Sequence, residues 1–320
     1  MKDPTLERAQ GALFGALLGD AIGTQVEFLD PVELAGLPVA ELLQFQECGP
    51  WHTLPGQPNE DGELLLLQTR MLVYQQAYAE APALQAYHYW LKTDPFTVDP
   101  AFQQALITGA SDRDYGAQAL ARVAPIALMG VHYSLPQIAA WAMQDTALTH
   151  SSVICQQISG LYAMMLAEIV DKGLAAAEVL EHLTQWADEL DVDPLVHQTI
   201  EQALFLPSTV ELRRQFAALA AFQNLIFQLN YAKSIGEALV DTMRLGGDTG
   251  TNCVIIGAVF GALAGYNELP ADWCETLNNC RPQEGVTGVD QPRPEVFWPG
   301  SASALVAELL GLQINNSDSA

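Results

Sequence analysis

The chain has 320 residues, 50% of them hydrophobic and 16% charged, with a formal net charge of -25. The hydrophobic share is ample for one large core. The acidity repels phosphate backbones over the general surface, which excludes nucleic acid and anionic membranes as expected partners. Five cysteines lie scattered at 48, 155, 253, 274 and 280 without a close CxxC pair, a pattern of reduced thiols and a cytoplasmic setting.

The first predicted element is a helix carrying Gly11, Gly15, Gly19 and Gly23 at a spacing of four. Residues four apart share a helix face. Each glycine gives up about 1 kcal/mol of helix stability against alanine, so the row predicts close contact with another helix. Glu7 and Arg8 precede the apolar stretch and Asp20 interrupts it, which is not the pattern of a signal peptide. The helix ends in Gly19-Asp20-Ala21-Ile22-Gly23-Thr24-Gln25-Val26-Glu27-Phe28, where two acids flank a glycine turn.

Next, Asn59-Glu60-Asp61-Gly62-Glu63 opens the run Leu64 to Leu67. Helical periodicity then covers roughly 61–79, 134–144, 150–190, 193–205, 209–228 and 235–244, with few alternating runs. Gly246-Gly247-Asp248-Thr249-Gly250-Thr251-Asn252 stands before an apolar helix, Cys253 to Gly265, with a second row at Gly257, Gly261 and Gly265. That helix is too short to span a bilayer, which takes about 20 residues. The two glycine rows are expected to cross near the core and to bring Asp20 and Glu27 near Asp248. Prolines at 282, 292, 294 and 299 make 281–300 irregular. A short helix is expected over 302–312, and disorder over 315–320. The reading is all-α, one domain over 1–320.

Three segments thus offer clustered oxygen ligands, as hard cations such as Mg²⁺ require. Gly250 lies between the two best ligands of the last segment and adds no oxygen. Each residue also has a plainer reading. Asp248 and Thr251 suit an N-cap, Glu60 and Asp61 suit a helix dipole, and Asp20 suits a turn.

In order and spacing these segments resemble the ADP-ribosylglycohydrolases, the DraG or ARH-like hydrolases, from about residue 8 to 266. Residues 11–27 match the family opening G-A-x-x-G-x-x-x-G-D-A-x-G-x-x-x-E. Asn59-Glu60-Asp61-Gly62 stands for its T-D-D-T motif. Gly116-Ala117-Gln118, followed by Ala121-Arg122-Val123-Ala124-Pro125, stands for its G-N-G substrate loop. Leu148-Thr149-His150-Ser151 matches its T-H motif, and Gly246 to Asn252 its G-G-D-T-D-T-N, with Gly250 in place of the second Asp.

The resemblance implies an orthogonal helical bundle and a Mg²⁺ pair beneath ADP-ribose. It also implies hydrolysis of the bond from the ribose anomeric carbon to a side-chain nitrogen or oxygen. The implied catalytic residues are Glu27, Glu60 and Asp61, and the implied metal ligands are Asn59, Glu60, Asp61, Asp248 and Thr251. Substrate would be held by Gly116, Arg122 and His150. His150 is expected to contact ligand or backbone rather than act as a base. Arg122 either binds phosphate or pairs with an acid. The expected ligand is ADP-ribose or an ADP-ribosylated protein.

The departures fall in the site: Asn59, Glu60 and Gly62 in the first motif, Ala117 and Gln118 in the loop, Gly250 in the last. A carboxylate between two Mg²⁺ ions offsets their repulsion, so its loss at Gly250 leaves one ion instead of two, or none. The expected activity is therefore an impaired Mg²⁺-dependent hydrolase. The alternative is a non-catalytic member that binds ADP-ribose, a nucleotide or a protein partner. Glu63 is the one nearby acid that could swing in.

Overall fold

A computed structural model describes residues 3–46, 50–110 and 115–311. It is all-α, with no β-strand among the described residues. Most helices fall where the periodicity places them, with differences that have local causes. The stretch 150–190 is two helices, Val153–Lys172 and Ala176–Glu189, because Gly173 turns left-handed at φ 72° and closes the first. The stretch 209–228 breaks at Phe216 into Val210–Gln215 and Ala217–Tyr231. Helices at Glu80–Leu91, Pro100–Thr108, Gln118–Arg122, Ala124–Leu128 and Ala271–Asn279 are additional. Three of them begin around a proline that reads as punctuation. Asp99-Pro100 is one such start: the Asp99 carboxylate accepts the Phe102 N–H at 2.8 Å, and Pro100 holds the first helical position.

The first helix, Pro4–Gly23, and the late helix Thr249–Ala264 form the most extensive helix pair in the molecule. They run antiparallel, and the two glycine rows face each other. A Cβ on Gly11 would meet the carbonyl of Gly261, one on Gly15 that of Gly257, one on Gly19 that of Cys253, and one on Gly23 that of Thr249. All four would fall within 3.0 Å of backbone, so only glycine permits this separation. Thr249 pins the far end by donating its hydroxyl to the Gly23 carbonyl at 2.7 Å. The expected crossing is therefore present, and it delivers Asp20, Glu27 and Asp248 to one end of the pair.

The helix Val153–Lys172 is long and apolar enough to cross a membrane by composition, yet nearly all of it is buried in the core. Over 281–300 the described structure is irregular apart from two short 3-10 turns, Glu295–Phe297 and Pro299–Ser301. The last described helix is Ala302–Leu309; Leu312 and 315–320 lie outside the described residues. Cys155, Cys253, Cys274 and Cys280 are buried, and Cys48 lies outside the described residues.

Candidate functional site

Asp20 sits in the last turns of the first helix, almost wholly buried. Its Oδ2 accepts the backbone N–H of Asn59 at 2.6 Å and of Gly62 at 3.2 Å. The helix Glu60–Gln75 has no side-chain cap of its own at Asn59. Asp20 supplies that cap from another helix and satisfies N–H groups that the helix start leaves orphaned. Gly62 has the same cause, because a Cβ there would collide with Asp20 Oδ2 and with Pro58 Cβ at 2.8 Å.

Glu27 follows the first helix across a short 3-10 turn, Thr24–Val26. Its Oε1 accepts the Gly250 N–H at 3.2 Å and its Oε2 accepts the Trp51 indole N–H at 2.7 Å. Both carboxylate oxygens are thus engaged. Glu60 is different. Its Oε1 takes a hydrogen bond from Gln118 at 2.6 Å, while its Oε2 is buried without a partner. Asp248 Oδ1 accepts the Thr251 N–H at 3.0 Å, and the Thr251 side chain pulls the pKa values of Asp61 and Asp248 down against the effect of burial. Asp248 caps the helix Thr249–Ala264.

The electrostatics follow from crowding acids into one place. Burial pushes Asp20 up to about 7, against the pull of its two N–H donors. Burial also lifts Glu27 to about 8, with Asp248 adding to it, and Glu60 to about 8, with Asp248, Glu27, Asp20 and Asp99 adding. Asp61 lies well above the usual carboxylate range, first from burial and then from Glu60. Asp248 is also raised by burial among protein atoms, yet its side chain still meets solvent, so water offsets part of the shift.

Buried and unpartnered at this end are Thr24 Oγ1, Asn59 Oδ1, Glu60 Oε2 and Asp61 Oδ1. Oxygens of carboxylate, hydroxyl and amide type suit a hard divalent cation in kind. In the conformation described, no three His, Cys, Asp or Glu side chains converge on one point among the described residues. Gln118, Trp51, Thr251 and the Gly250 N–H each hold a carboxyl in its own direction.

Of the expected substrate residues, Arg122 and His150 lie together around Thr149. Gly116 lies just before the helix whose Gln118 reaches Glu60, so its segment abuts the acids. Arg122 is fully buried. Its Nε donates to Asp145 Oδ2 at 2.8 Å, and its Nη2 donates to the Asp145 carbonyl and to Thr149 Oγ1. Tyr87 and Phe102 flank the guanidinium. Of the two readings left open for Arg122, the arrangement present is the ion pair. His150 is buried beside Thr149, 2.8 Å from its hydroxyl. Burial, helped by the Arg122 charge, pushes its pKa down to about 3, so the ring stays neutral. Glu63 is not free to swing in, because Arg293 and Trp90 hold both of its oxygens.

Sequence reading missed Asp99, Trp51 and Thr24 as site neighbours, and had Gln118 only as a replacement in the substrate loop. Only Asp99 left a signal, as the cap before Pro100. Beside Asp248 opens a cavity of about 280 Å³, lined also by Gly246, Gly247, Asn252, Arg213 and Arg214.

The structure is an all-helical bundle that gathers acids from three chain segments at the end of a glycine-packed helix pair. The chain belongs to the ADP-ribosylglycohydrolase family, whose model it matches over residues 1–297. It is 23% identical over 284 residues to the ADP-ribosyl-[dinitrogen reductase] glycohydrolase of Rhodospirillum rubrum, covering 85% of this chain and 90% of that protein. It is 24% identical over 351 residues to the ADP-ribosylhydrolase ARH3 of Bos taurus, covering 92% and 94%. A solved structure described as an ADP-ribosylglycohydrolase-related protein complex superposes with a TM-score of 0.76 at 20% identity, over 96% of this chain and 98% of that one.

Proposed function

We propose that this protein hydrolyses the bond between ADP-ribose and a protein side chain, with Mg²⁺ held among Asn59, Glu60, Asp61, Asp248 and Thr251. The observation that carries this reading is the gathering of Asp20, Glu27, Glu60, Asp61 and Asp248, whose pKa values burial raises, with the charge of neighbouring acids adding to it, and which leave buried oxygens without partners. Such a cluster is poorly stable by itself and gains from a cation. A bound divalent ion would supply positive charge that keeps these acids ionised and would orient ribose hydroxyls.

The division of labour follows from the hydrogen bonds. Glu60 has one oxygen fixed by Gln118 and one uncommitted, the arrangement of a general base that takes a proton from water. Glu27 has both oxygens occupied and acts as a fixed wall of the site. Glycosidic cleavage passes through an oxocarbenium-like state, and the negative field of the acids favours positive charge at the anomeric carbon. The raised pKa of Glu60 makes it a stronger base than an exposed carboxylate once it is ionised.

The cavity beside Asp248 is lined by Arg213 and Arg214, cations of the kind a diphosphate would pair with. The test is calorimetric titration of ADP-ribose with and without Mg²⁺, followed by release of ADP-ribose from a modified protein. Mg²⁺-dependent binding with turnover supports the proposal. Mg²⁺-dependent binding without turnover selects the non-catalytic reading, which the replacements at Asn59, Gly62 and Gly250 favour. No binding overturns both.

A further inference from the structure

We infer that a closed ring of hydrogen bonds fixes the direction of Glu60, and that Arg122 is a positioning residue within it. The catalytic part of this inference rests on the hydrolase reading above.

The ring can be followed bond by bond. The Gln118 amide donates to Glu60 Oε1 at 2.6 Å. Gln118 and Arg122 are the two ends of one short helix, Gln118–Arg122. Arg122 Nε donates to Asp145 Oδ2 at 2.8 Å, and the Tyr87 hydroxyl donates to Asp145 Oδ1 at 2.6 Å. The Gln68 amide then donates to the Tyr87 hydroxyl at 3.0 Å. Gln68 belongs to the helix Glu60–Gln75 and lies about 12 Å beyond Glu60, at about 1.5 Å per residue. The path therefore returns to the helix on which it began. Gln68, Tyr87, Arg122 and Asp145 are each at most 1% exposed, so bulk water does not compete for these bonds.

Two features give the ring a role beyond holding the core. The first is the length of the helix Gln118–Arg122. Its five residues fall well short of about 12–15, below which an isolated helix is marginal even in a favourable sequence. Its direction is set by what grips it, and it is gripped at both ends: by Glu60 at Gln118, and by Asp145 and Thr149 at Arg122. The second feature is that the closing bond is made by two departures from the family motifs. Glu60 stands where T-D-D-T has Asp, and Gln118 where G-N-G ends in Gly. A glycine at 118 has no amide to donate, and an aspartate at 60 is one methylene shorter. The ring thus gives a longer and more mobile acid a fixed Oε1 and an uncommitted Oε2.

The experiment breaks the ring on its far side. Tyr87→Phe removes the hydroxyl that joins Gln68 to Asp145 and leaves Glu60, Gln118 and Arg122 in place. Arg122→Lys keeps the charge opposite Asp145 but not the planar guanidinium fork. Each is made in the native chain and in Gln118→Ala. Release of ADP-ribose from a modified protein gives kcat and KM. The side-chain amide resonance of isotope-labelled Gln118, assigned by its loss in Gln118→Ala, reports the bond to Glu60 without any turnover.

Tyr87→Phe and Arg122→Lys are each expected to lower kcat about tenfold with KM little moved, inside the roughly hundredfold that misplacing a reacting group by about 1 Å costs. Both are expected to shift the Gln118 amide resonance. In Gln118→Ala neither lowers kcat further, because the path to Glu60 is already cut. An ion pair that only holds the core would lower kcat by the same factor in both backgrounds. That result overturns the inference while the hydrolase reading stands, and so does native kcat or an unmoved Gln118 resonance in Tyr87→Phe. Absence of turnover in the native chain overturns the hydrolase reading, and the Gln118 resonance then decides the ring by itself. Should Arg122→Lys not fold, Tyr87→Phe is read in the same way.

Discussion

Arg293 closes a two-point salt bridge on Glu63, with Nε 2.6 Å from Oε1 and Nη2 2.8 Å from Oε2, and both side chains almost wholly out of solvent. The Trp90 indole adds a third bond to Glu63 at 2.8 Å. Glu63 stands in the first turn of the helix that also carries Glu60 and Asp61. The irregular stretch near the chain's end therefore neutralises a sixth acid at the edge of the site and anchors that helix start. Removing one partner of a buried pair leaves an uncompensated charge, at a loss of about 3–5 kcal/mol. Arg293→Met is expected to lower stability to urea by that amount. Combining it with Glu63→Gln is expected to recover much of the loss. A silent Arg293→Met would show that the bridge does not form in solution.

The acid cluster makes stability depend on pH in a defined direction. Folding holds Asp20 near 7 and Glu27 and Glu60 near 8, whereas the unfolded chain releases these protons near pH 4. Between those limits the folded state binds more protons, so unfolding free energy falls as pH rises. The contribution is fully present below about pH 4 and is lost as pH passes through 7 to 8. Melting temperature in a chelator is expected to drop from pH 5 to pH 8, and Mg²⁺ is expected to flatten that slope by favouring the ionised acids. A melting temperature that rises over the same range would contradict the burial of these groups.

The glycine rows give a packing prediction. A Cβ on Gly15 would meet the Gly257 carbonyl and lie 2.9 Å from the Gly261 Cα, both backbone atoms that cannot turn aside. Overpacking of this kind is destabilising by about 1–3 kcal/mol, set against about 1 kcal/mol of helix propensity gained from alanine. Gly15→Ala is expected to destabilise on balance, and Gly15→Val more strongly. The check is the urea midpoint. An unchanged midpoint for Gly15→Val would mean that the helices do not lie this close.

These rows were legible in the sequence because backbone-to-backbone packing removes the side chain at every fourth residue and so leaves a periodic trace. The acidic segments were legible because each stands at a helix end, where local spacing alone places oxygens together. What the sequence did not carry were pairings set by tertiary contact. Nothing local links Arg293 to Glu63, 230 residues apart, or Trp51 to Glu27, or Arg122 to Asp145. The replacement of Asn59's missing side-chain cap by Asp20 is of the same kind, since the capping residue lies on a different helix. The helix at Pro100–Thr108 was hidden for another reason. Proline is both a breaker inside helices and a starter at their first position, and only the Asp99 hydrogen bond tells the two apart.

Glu60 offers the sharpest functional test. Its Oε1 is held by Gln118 at 2.6 Å and its Oε2 is buried and uncommitted, so Glu60→Gln preserves shape while removing the ability to take a proton. General-base removal typically lowers turnover by about 10²–10⁴-fold. Glu60→Gln is expected to lose activity on that scale or more with helical content retained. Gln118→Ala leaves the base in place but unlocks its direction, so a smaller fall in kcat is expected from it, with KM little moved. If Glu60→Gln keeps native turnover, the proton passes to another acid, and Asp61, whose Oδ1 is likewise unpartnered, becomes the next residue to replace.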